Sequence, residues 1–513
     1  MQTRKIRLQT LALLLATYFA SAGHAATYTV TRGDDPAPNG CPVGDCSLRE
    51  ALEAAVVTPA GDVVVLGPGL YNVTRGQLNV VGQVTIAGAG SALTRIVSTG
   101  AFRLMGVSTL GELNLAGVEM SSQQEALVAT DSSALLQDVR VVSGAVAVQA
   151  LGSTPASLRA YNSRLEGLIC GGVPATCQVF DSEMVGVLIY YSNLTLAGVE
   201  VAATANASSF YIAGDGAVSI SDSTIRGQPE LAFVGSGEAA PDVQITRTRF
   251  IGNSGPLTST RMSTIRMTDV EFRDNIVNSG NNTKPAAILA SDEGAWRISR
   301  ALFVGNRGGS GQGAAVRVTD GANVVMDNVT FYDNTFKTGN SGNGHTIGVD
   351  VTGNTSTLFW LFHATLRRAP SVSANVFGSV LRVNGTASNL SVRLFNSLVD
   401  GTCAFGPGAA LLQAEGNIES IGNSCGLVAA NNNRSNIPAN QLLIGSLADH
   451  GGFTNTYLPA SGSPLLDTAT PLWCQFNPLE QRRYLRPAGG INCDVGAVEA
   501  GAIADSLFAN GFE

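Results

Sequence analysis

Between residues 60 and 400 the chain repeats one phrase: a short β-rich run, a polar step, a second short run, then Gly or Asn. Clear copies are LNLAGVEM from Leu113, LTLAGVEV from Leu194, VSISDSTIRG from Val218 and VQITRTRFIGN from Val243. IRMTDVEFRDN from Ile265, WRISRALFVGN from Trp296 and VVMDNVTFYDN from Val324 continue the series. The starts lie roughly 20 to 34 residues apart, a period that belongs to solenoids. Alternating β-branched residues turn one face of each run inward, and Gly and Asn supply the corners. No helical pattern separates the runs. The expected fold is therefore all-β, a single-stranded right-handed parallel β-helix. A β-sandwich would not repeat one phrase at one period.

Four phrases end in Phe-x-x-Asn, at Phe250 and Asn253, Phe272 and Asn275, Phe303 and Asn306, and Phe331 and Asn334. With coils about 4.8 Å apart, the phenylalanines are expected to stack inside and the asparagine amides to bond in a ladder at a turn. The same register aligns Arg247, Asp269 and Arg300, and sets Arg249 against Glu271. Those charges read as cross-strand pairs between neighbouring coils.

The first 25 residues have the form of a secretory leader, with Arg4, Lys5 and Arg7, an apolar run from Leu11 to Ala20, and small residues before Ala26. The apolar run is too short to span a bilayer, and no later stretch reaches that length. The exported part carries eight cysteines in four close pairs: Cys41 with Cys46, Cys170 with Cys177, Cys403 with Cys425, and Cys474 with Cys493. Proximity in an oxidising compartment makes these the expected disulfides. His345, His363 and His450 lie away from every pair, so no metal site is expected there.

Charged residues make up only 14% of the chain, which excludes a coiled coil, and the 59 glycines keep no period of three, which excludes collagen. Lysine is confined to Lys5, Lys284 and Lys337, so almost all positive charge is arginine. The net charge is −8, and without the leader 28 positive residues face 39 negative ones. Such a surface repels phosphate backbones, so nucleic acid is an unexpected partner.

The segment from Cys46 to Leu52, CSLREAL, opens with a capping box of Ser47 and Glu50. Leu48, Ala51, Leu52 and Ala55 then form one apolar face of a short helix, expected to cover the first coil of the solenoid. CSLREAL, followed by GDVVVLGPGLYNV from Gly61, resembles the N-terminal signature of the CSLREA-motif secreted β-helix proteins. LADHGGFTNTYLPASGSPLLDTA from Leu447 and RPAGGINCDVGAVE from Arg486 are similar to their C-terminal choice-of-anchor Q domain. The usual Asp-Gln-Arg-Gly of that domain stands here as Glu480-Gln481-Arg482-Arg483. The resemblance implies an exported, surface-associated bacterial β-helix protein and supplies no catalytic residues. The tail from Leu507 to Glu513 resembles the Phe-x-x-Gly-Phe-Glu ends of exported proteins of Gram-negative bacteria. The resulting division is leader 1–25, cap 26–60, β-helix 61–440, C-terminal module 441–500, and linker with sorting tail 501–513.

Parallel β-helices often cleave acidic polysaccharides, and that chemistry has recognisable requirements. A lyase needs clustered carboxylates for Ca²⁺ and an arginine or lysine base. Asp269, Glu271 and Asp274, with Arg300 on the next coil, are the nearest approach. A hydrolase needs paired carboxylates, and the Asn-Thr-Asp, Asp-Asp and Gly-His-Gly blocks of polygalacturonases are absent, Gly344-His345 being a weak echo. Asp34 and Asp35 could hold a cation loosely or form a solvated turn. Loops 307–313 and 335–344 leave consecutive phrases at the same corner and could wall a groove. Tyr190, Tyr191 and Tyr211 could stack on sugars, with packing on the strands as the plainer account. The reading is a monomeric, cofactor-free exported β-helix in adhesion or glycan binding. The alternative is a pectate-lyase-like polysaccharide lyase or glycoside hydrolase, with Ca²⁺ entering only in that case.

Overall fold

The computed structural model describes residues 25–55, 61–151, 154–203, 210–235, 241–260, 263–277, 283–309, 313–337, 345–353, 355–368, 379–385, 388–487 and 492–502. The leader up to residue 24, loop stretches 310–312 and 338–344, and the tail from Leu507 lie outside the described residues. The chain divides into two compact units, Met1–Glu166 and Gly167–Glu513, a division inside the span 61–440 read as one solenoid. Both units are right-handed parallel β-helix, the hand that a strand-to-parallel-strand crossover adopts almost without exception.

In the first unit, strands Thr27–Val30, Asp62–Leu66, Gln83–Ala87, Glu112–Ser121, Ser133–Ser143 and Ala156–Tyr161 pair in parallel in that order. A second sheet runs through Leu78–Val80, Met105–Val107, Leu127–Thr130 and Val146–Gln149. The expected helix spans Leu48–Ala55 and closes its capping box: Ser47 N–H donates to Glu50 Oε2 at 2.8 Å, and Glu50 N–H to Ser47 Oγ at 3.3 Å. Its buried Leu48, Ala51, Leu52 and Ala55 face the first strands of both sheets.

In the second unit one sheet contains the long strands Asp242–Ile251, Thr264–Arg273, Ala295–Val304 and Asn323–Tyr332, in parallel register. The other stacks Leu168–Gly171, Val187–Tyr190, Phe210–Ala213, Leu231–Val234 and Leu257–Thr260, and continues to Cys403–Phe405. Phe250, Phe272, Phe303 and Phe331 stack inside with ring centroids 4.6, 5.0 and 4.4 Å apart and planes within 6° of parallel. Asn253, Asn275, Asn306 and Asn334 form the amide ladder, each Nδ2 donating to the next Oδ1 at 3.1, 2.8 and 2.8 Å. Each Oδ1 also accepts the backbone N–H of the preceding ladder residue, so the ladder satisfies polar groups that burial would otherwise strand.

The long strands are bent in the middle by one left-handed residue apiece: Arg247 (φ 45°), Asp269 (56°), Arg300 (54°) and Asn328 (55°). The register carries this station upstream to Gly198 and Asp222 and downstream to His363, Asn396 and Gly416, all with positive φ. Asp and Asn enter this region with least strain, whereas an arginine or histidine there costs about 1–2 kcal/mol. The aligned charges Arg247, Asp269 and Arg300 are thus a corner column rather than partners on flat strands. Its ion pairs are Asp222 with Arg247, at 2.6 and 2.8 Å, and Asp269 with Arg300, at 2.6 and 3.1 Å.

The four cysteine pairs form the expected disulfides. Residues after Ile437 fold back along the coils of the second unit, on which buried side chains fix them. Gln481 Oε1 accepts from the Thr330 hydroxyl at 2.6 Å, and Arg486 Nη2 donates to Asn328 Oδ1 at 2.8 Å. Gly496 N–H donates to the Asn396 carbonyl at 2.8 Å, and Ala497 N–H to Thr365 Oγ1 at 3.0 Å. A small core of Leu398, Ile418, Leu442, Leu465 and Val495 packs around the Cys474–Cys493 bridge.

Candidate binding surface

The carboxylates singled out for lyase chemistry are not gathered into one site. Asp269, 2% exposed, sits at the corner with both oxygens on Arg300. Glu271 points out from the strand and accepts from Arg249 Nε at 3.2 Å and Arg273 Nε at 2.7 Å. Asp274 lies at a second left-handed corner, at the station occupied by Gly252, Gly305 and Asp333 on neighbouring coils. Five residues of extended chain span roughly 16 Å, so Asp269 and Asp274 cannot ligate one ion. Asp34 and Asp35 are likewise engaged: Arg32 holds Asp34 at 2.7 Å, and Arg49 holds Asp35 at 2.8 and 3.0 Å.

His345 has more local structure than its weak sequence signal suggested. It is buried, with Nδ1 2.8 Å from Ser379 Oγ and Nε2 3.2 Å from Arg382 Nη1. A serine–histidine couple acts as nucleophile and base when a carboxylate on the far nitrogen stabilises the imidazolium. Here that nitrogen faces a guanidinium. Burial, with Arg382 adding to it, holds the imidazole pKa down to about 4, so His345 stays neutral and a poor proton acceptor. It ties two coils together.

Asp467, Asp494 and Glu499 are the described residues that bring three carboxylates within reach of one ion. The two buried carboxylates are already engaged: Asp494 accepts from Asp467 N–H at 2.8 Å and Ala500 N–H at 2.6 Å, and Glu499 from Arg486 at 3.0 Å, while Asp467 is exposed. Burial pushes Glu499 up to about 7 against the pull of Arg486, and pushes Asp494 and Glu480 upward too. Arg486 supplies the positive charge that an ion would otherwise bring.

The surface that does stand open is aromatic. On the second sheet Val187 and Ile189 point inward, and Phe210 and Ile212 do the same one coil on. The alternate residues therefore face outward. Tyr190 is 40% exposed, Tyr191 46%, and Tyr211, on the next strand, is half-buried. The Tyr190 and Tyr211 ring centroids lie 6.1 Å apart with planes at 56°. Gly214 makes room for this shelf, because a Cβ there would fall 2.8 Å from the Tyr191 ring. Tyr190 and Tyr211 lie on strands, as the plainer sequence account had it, whereas Tyr191 falls just past the end of its strand at φ 53°. In the first unit the outer face of the corresponding sheet has a hollow of about 370 Å³ lined by Gln77, Asn79, Arg103, Gly106, Ser108 and Thr130. Gln77 Nε2 donates to Asn79 Oδ1 at 2.8 Å across Gly106, where any Cβ would collide with that amide.

No protein-family model matches the chain, and no curated protein does. Among solved structures it is similar to the Agl-KA catalytic domain, at 16% identity and TM-score 0.40, over 71% of this chain and 68% of that one. The catalytic unit of a GH87 α-1,3-glucanase from Streptomyces thermodiastaticus strain HF3-3 is similar at 15% identity and TM-score 0.36, over 77% and 71% of the two chains. Pectate lyase Pel9A is similar at 13% identity and TM-score 0.26, over 94% and 98%. Likenesses this distant do not bear on activity.

Proposed function

We propose that this is an exported, non-enzymatic β-helix protein of the CSLREA-motif type that holds polysaccharide on the outer face of its second sheet. The observation that carries this reading is the open shelf of Tyr190, Tyr191 and Tyr211. Aromatic rings present a flat apolar face to a sugar ring and a hydroxyl to its rim. The first unit has, separately, an amide-lined hollow around Gln77 and Asn79 with hydrogen-bonding groups suited to sugar hydroxyls. Four disulfides fit an oxidising compartment, which supports export. The lyase alternative is disfavoured because Asp269 and Glu271 are consumed by arginines and His345 is held neutral. The test is affinity electrophoresis against neutral and acidic polysaccharides, with and without Ca²⁺, run beside assays for new reducing ends and unsaturated uronates. Retarded migration without products is expected, and Tyr190→Ala with Tyr211→Ala should abolish the retardation. Product formation, or retardation indifferent to both substitutions, would overturn the reading.

A further inference from the structure

The strands that carry the tyrosine shelf differ in charge from the rest of the second unit. Leu168 and Cys170, Val187 and Ile189, Phe210 and Ile212, and Leu231 and Phe233 are buried, so the alternate residues face outward. One outward column runs Ile169, Leu188, Tyr211, Ala232 and Thr258 in register. The column beside it runs Gly171, Tyr190, Ala213 and Val234. No Asp, Glu, Arg, Lys or His stands in either column. The other sheet of the same unit instead bears Arg226 with Glu200, Arg249 with Glu271, and Arg266 with Asp242. The tyrosine face regains charge further along at Arg317, which is paired with Asp350 at 3.0 Å.

Two exposed carboxylates bracket the shelf, at opposite ends of its strands. Asp215 follows Gly214, the glycine that makes room for the Tyr191 ring. Glu230 precedes the strand Leu231–Val234, and its carbonyl accepts from the N–H of Phe210, the neighbour of Tyr211.

This arrangement sorts sugars by charge. A carboxylate or sulfate brought onto the two columns would give up water and find no positive side chain in them, and an uncompensated charge is costly to desolvate. Asp215 and Glu230 would repel it as well, an effect that salt screens. A neutral sugar loses little. Its C–H face lies on tyrosine and aliphatic side chains while its hydroxyls stay at the wet rim. A β-1,4-glucan meets these terms, because its linkages and hydroxyls are equatorial and both ring faces are left apolar.

We propose that the tyrosine shelf selects uncharged glycans with flat apolar ring faces, of the β-1,4-glucan kind, and discriminates against polyuronates and sulfated chains. This rests on the shelf being the polysaccharide site and adds the class of polysaccharide that it takes.

The experiment is calorimetric titration of the full chain with hydroxyethylcellulose and with carboxymethylcellulose, which share one backbone and differ in charge. The neutral polymer is expected to bind saturably, with an affinity that salt hardly changes. The carboxylated polymer should bind at least about tenfold more weakly at low salt, with the gap narrowing as salt is added. Asp215→Asn with Glu230→Gln, both at exposed positions, should strengthen binding of the carboxylated polymer and leave the neutral one unchanged. Equal or tighter binding of carboxymethylcellulose at low salt would overturn the selectivity, as would absence of binding by hydroxyethylcellulose. Polygalacturonate separates the two levels of failure. If it binds in a way that Tyr190→Ala with Tyr211→Ala abolishes while hydroxyethylcellulose does not bind, the selectivity falls and the shelf stands. If no polysaccharide binds, both fall.

Discussion

Asn275→Ala tests whether the asparagine ladder carries the stability of the middle coils. The Asn275 carbonyl oxygen accepts from the Asn253 backbone N–H at 2.9 Å and from its Nδ2 at 3.1 Å. Its own Nδ2 donates to the Phe250 carbonyl at 3.1 Å and to Asn306 Oδ1 at 2.8 Å. Alanine removes all four bonds in a place that water does not reach. Asn253 Nδ2 keeps the Ile225 carbonyl, and Asn306 Oδ1 keeps the Asn275 N–H, so those groups are only weakened. The Asn253 N–H and the Phe250 carbonyl lose a partner. At about 1–3 kcal/mol for each of these two buried groups, the expected loss is about 2–6 kcal/mol. Coils of a solenoid can unfold separately, so a single global transition is not assured. Native-state hydrogen exchange is the better assay, because the Asn253 amide reports the broken rung directly. Its protection should collapse while amides of the helix Leu48–Ala55 keep theirs. Exposed Asn193→Ala serves as the control, losing one bond to Ala217 N–H at 2.9 Å. A loss below about 0.5 kcal/mol, the scale of an ordinary surface change, would refute the reasoning.

Three further expectations use other parts of the molecule. Asp269→Ala leaves Arg300 without its buried partner and should cost about 3–5 kcal/mol, while Ca²⁺ titration of the wild type should show no binding that the variant loses. Replacing Cys474 and Cys493 by serine opens a loop of 19 residues, and about 3 kcal/mol should be lost in denaturant unfolding of the C-terminal module. Glu499 has its folded pKa raised to about 7 by burial, so the folded state holds its proton where the unfolded chain has released it. The contribution of Glu499 to stability therefore falls as pH rises from about 4 to 7. Melting of Glu499→Gln against pH should be flatter than wild type across that window, and an identical profile would contradict the assignment.

The repeat made the coils legible, because Phe-x-x-Asn names an inward residue and a turn residue at a fixed offset. The capping box at Ser47 and Glu50 was legible for the same reason: the signal is local. The corner column was not. Arg247 and Arg300 look like strand residues in sequence, and nothing in their identity announces a positive φ; Asp222, Asp269, Asn328 and Asn396 carry the usual signal, but only the register shows that all six share one station. His345 drew attention without its partners, since Ser379 and Arg382 lie 34 and 37 residues away. Gln481 and Arg486 belong to a quoted signature, yet their contacts with Thr330 and Asn328 span 151 and 158 residues. Long-range pairing of that kind leaves no periodic trace.

The near absence of lysine now has a structural account. Arginine after arginine is committed to a carboxylate on a neighbouring coil: Arg95 and Arg140 flank Glu119, Arg249 takes Glu271 and Arg226 takes Glu200, while Arg273 reaches Glu271 within its own strand. Arg266 with Asp242 and Arg300 with Asp269 extend the pattern. A planar guanidinium suits this task because it loses less freedom per hydrogen bond than a lysine and can engage both carboxylate oxygens. Along these columns the described carboxylates are matched by guanidiniums, which leaves the coils locally close to neutral. On the proposed reading a glycan is held away from these pairs, on the exposed rings of Tyr190 and Tyr191. A carboxylate such as Glu271 or Asp269 could meet an ion or a substrate only after its arginine partners are displaced.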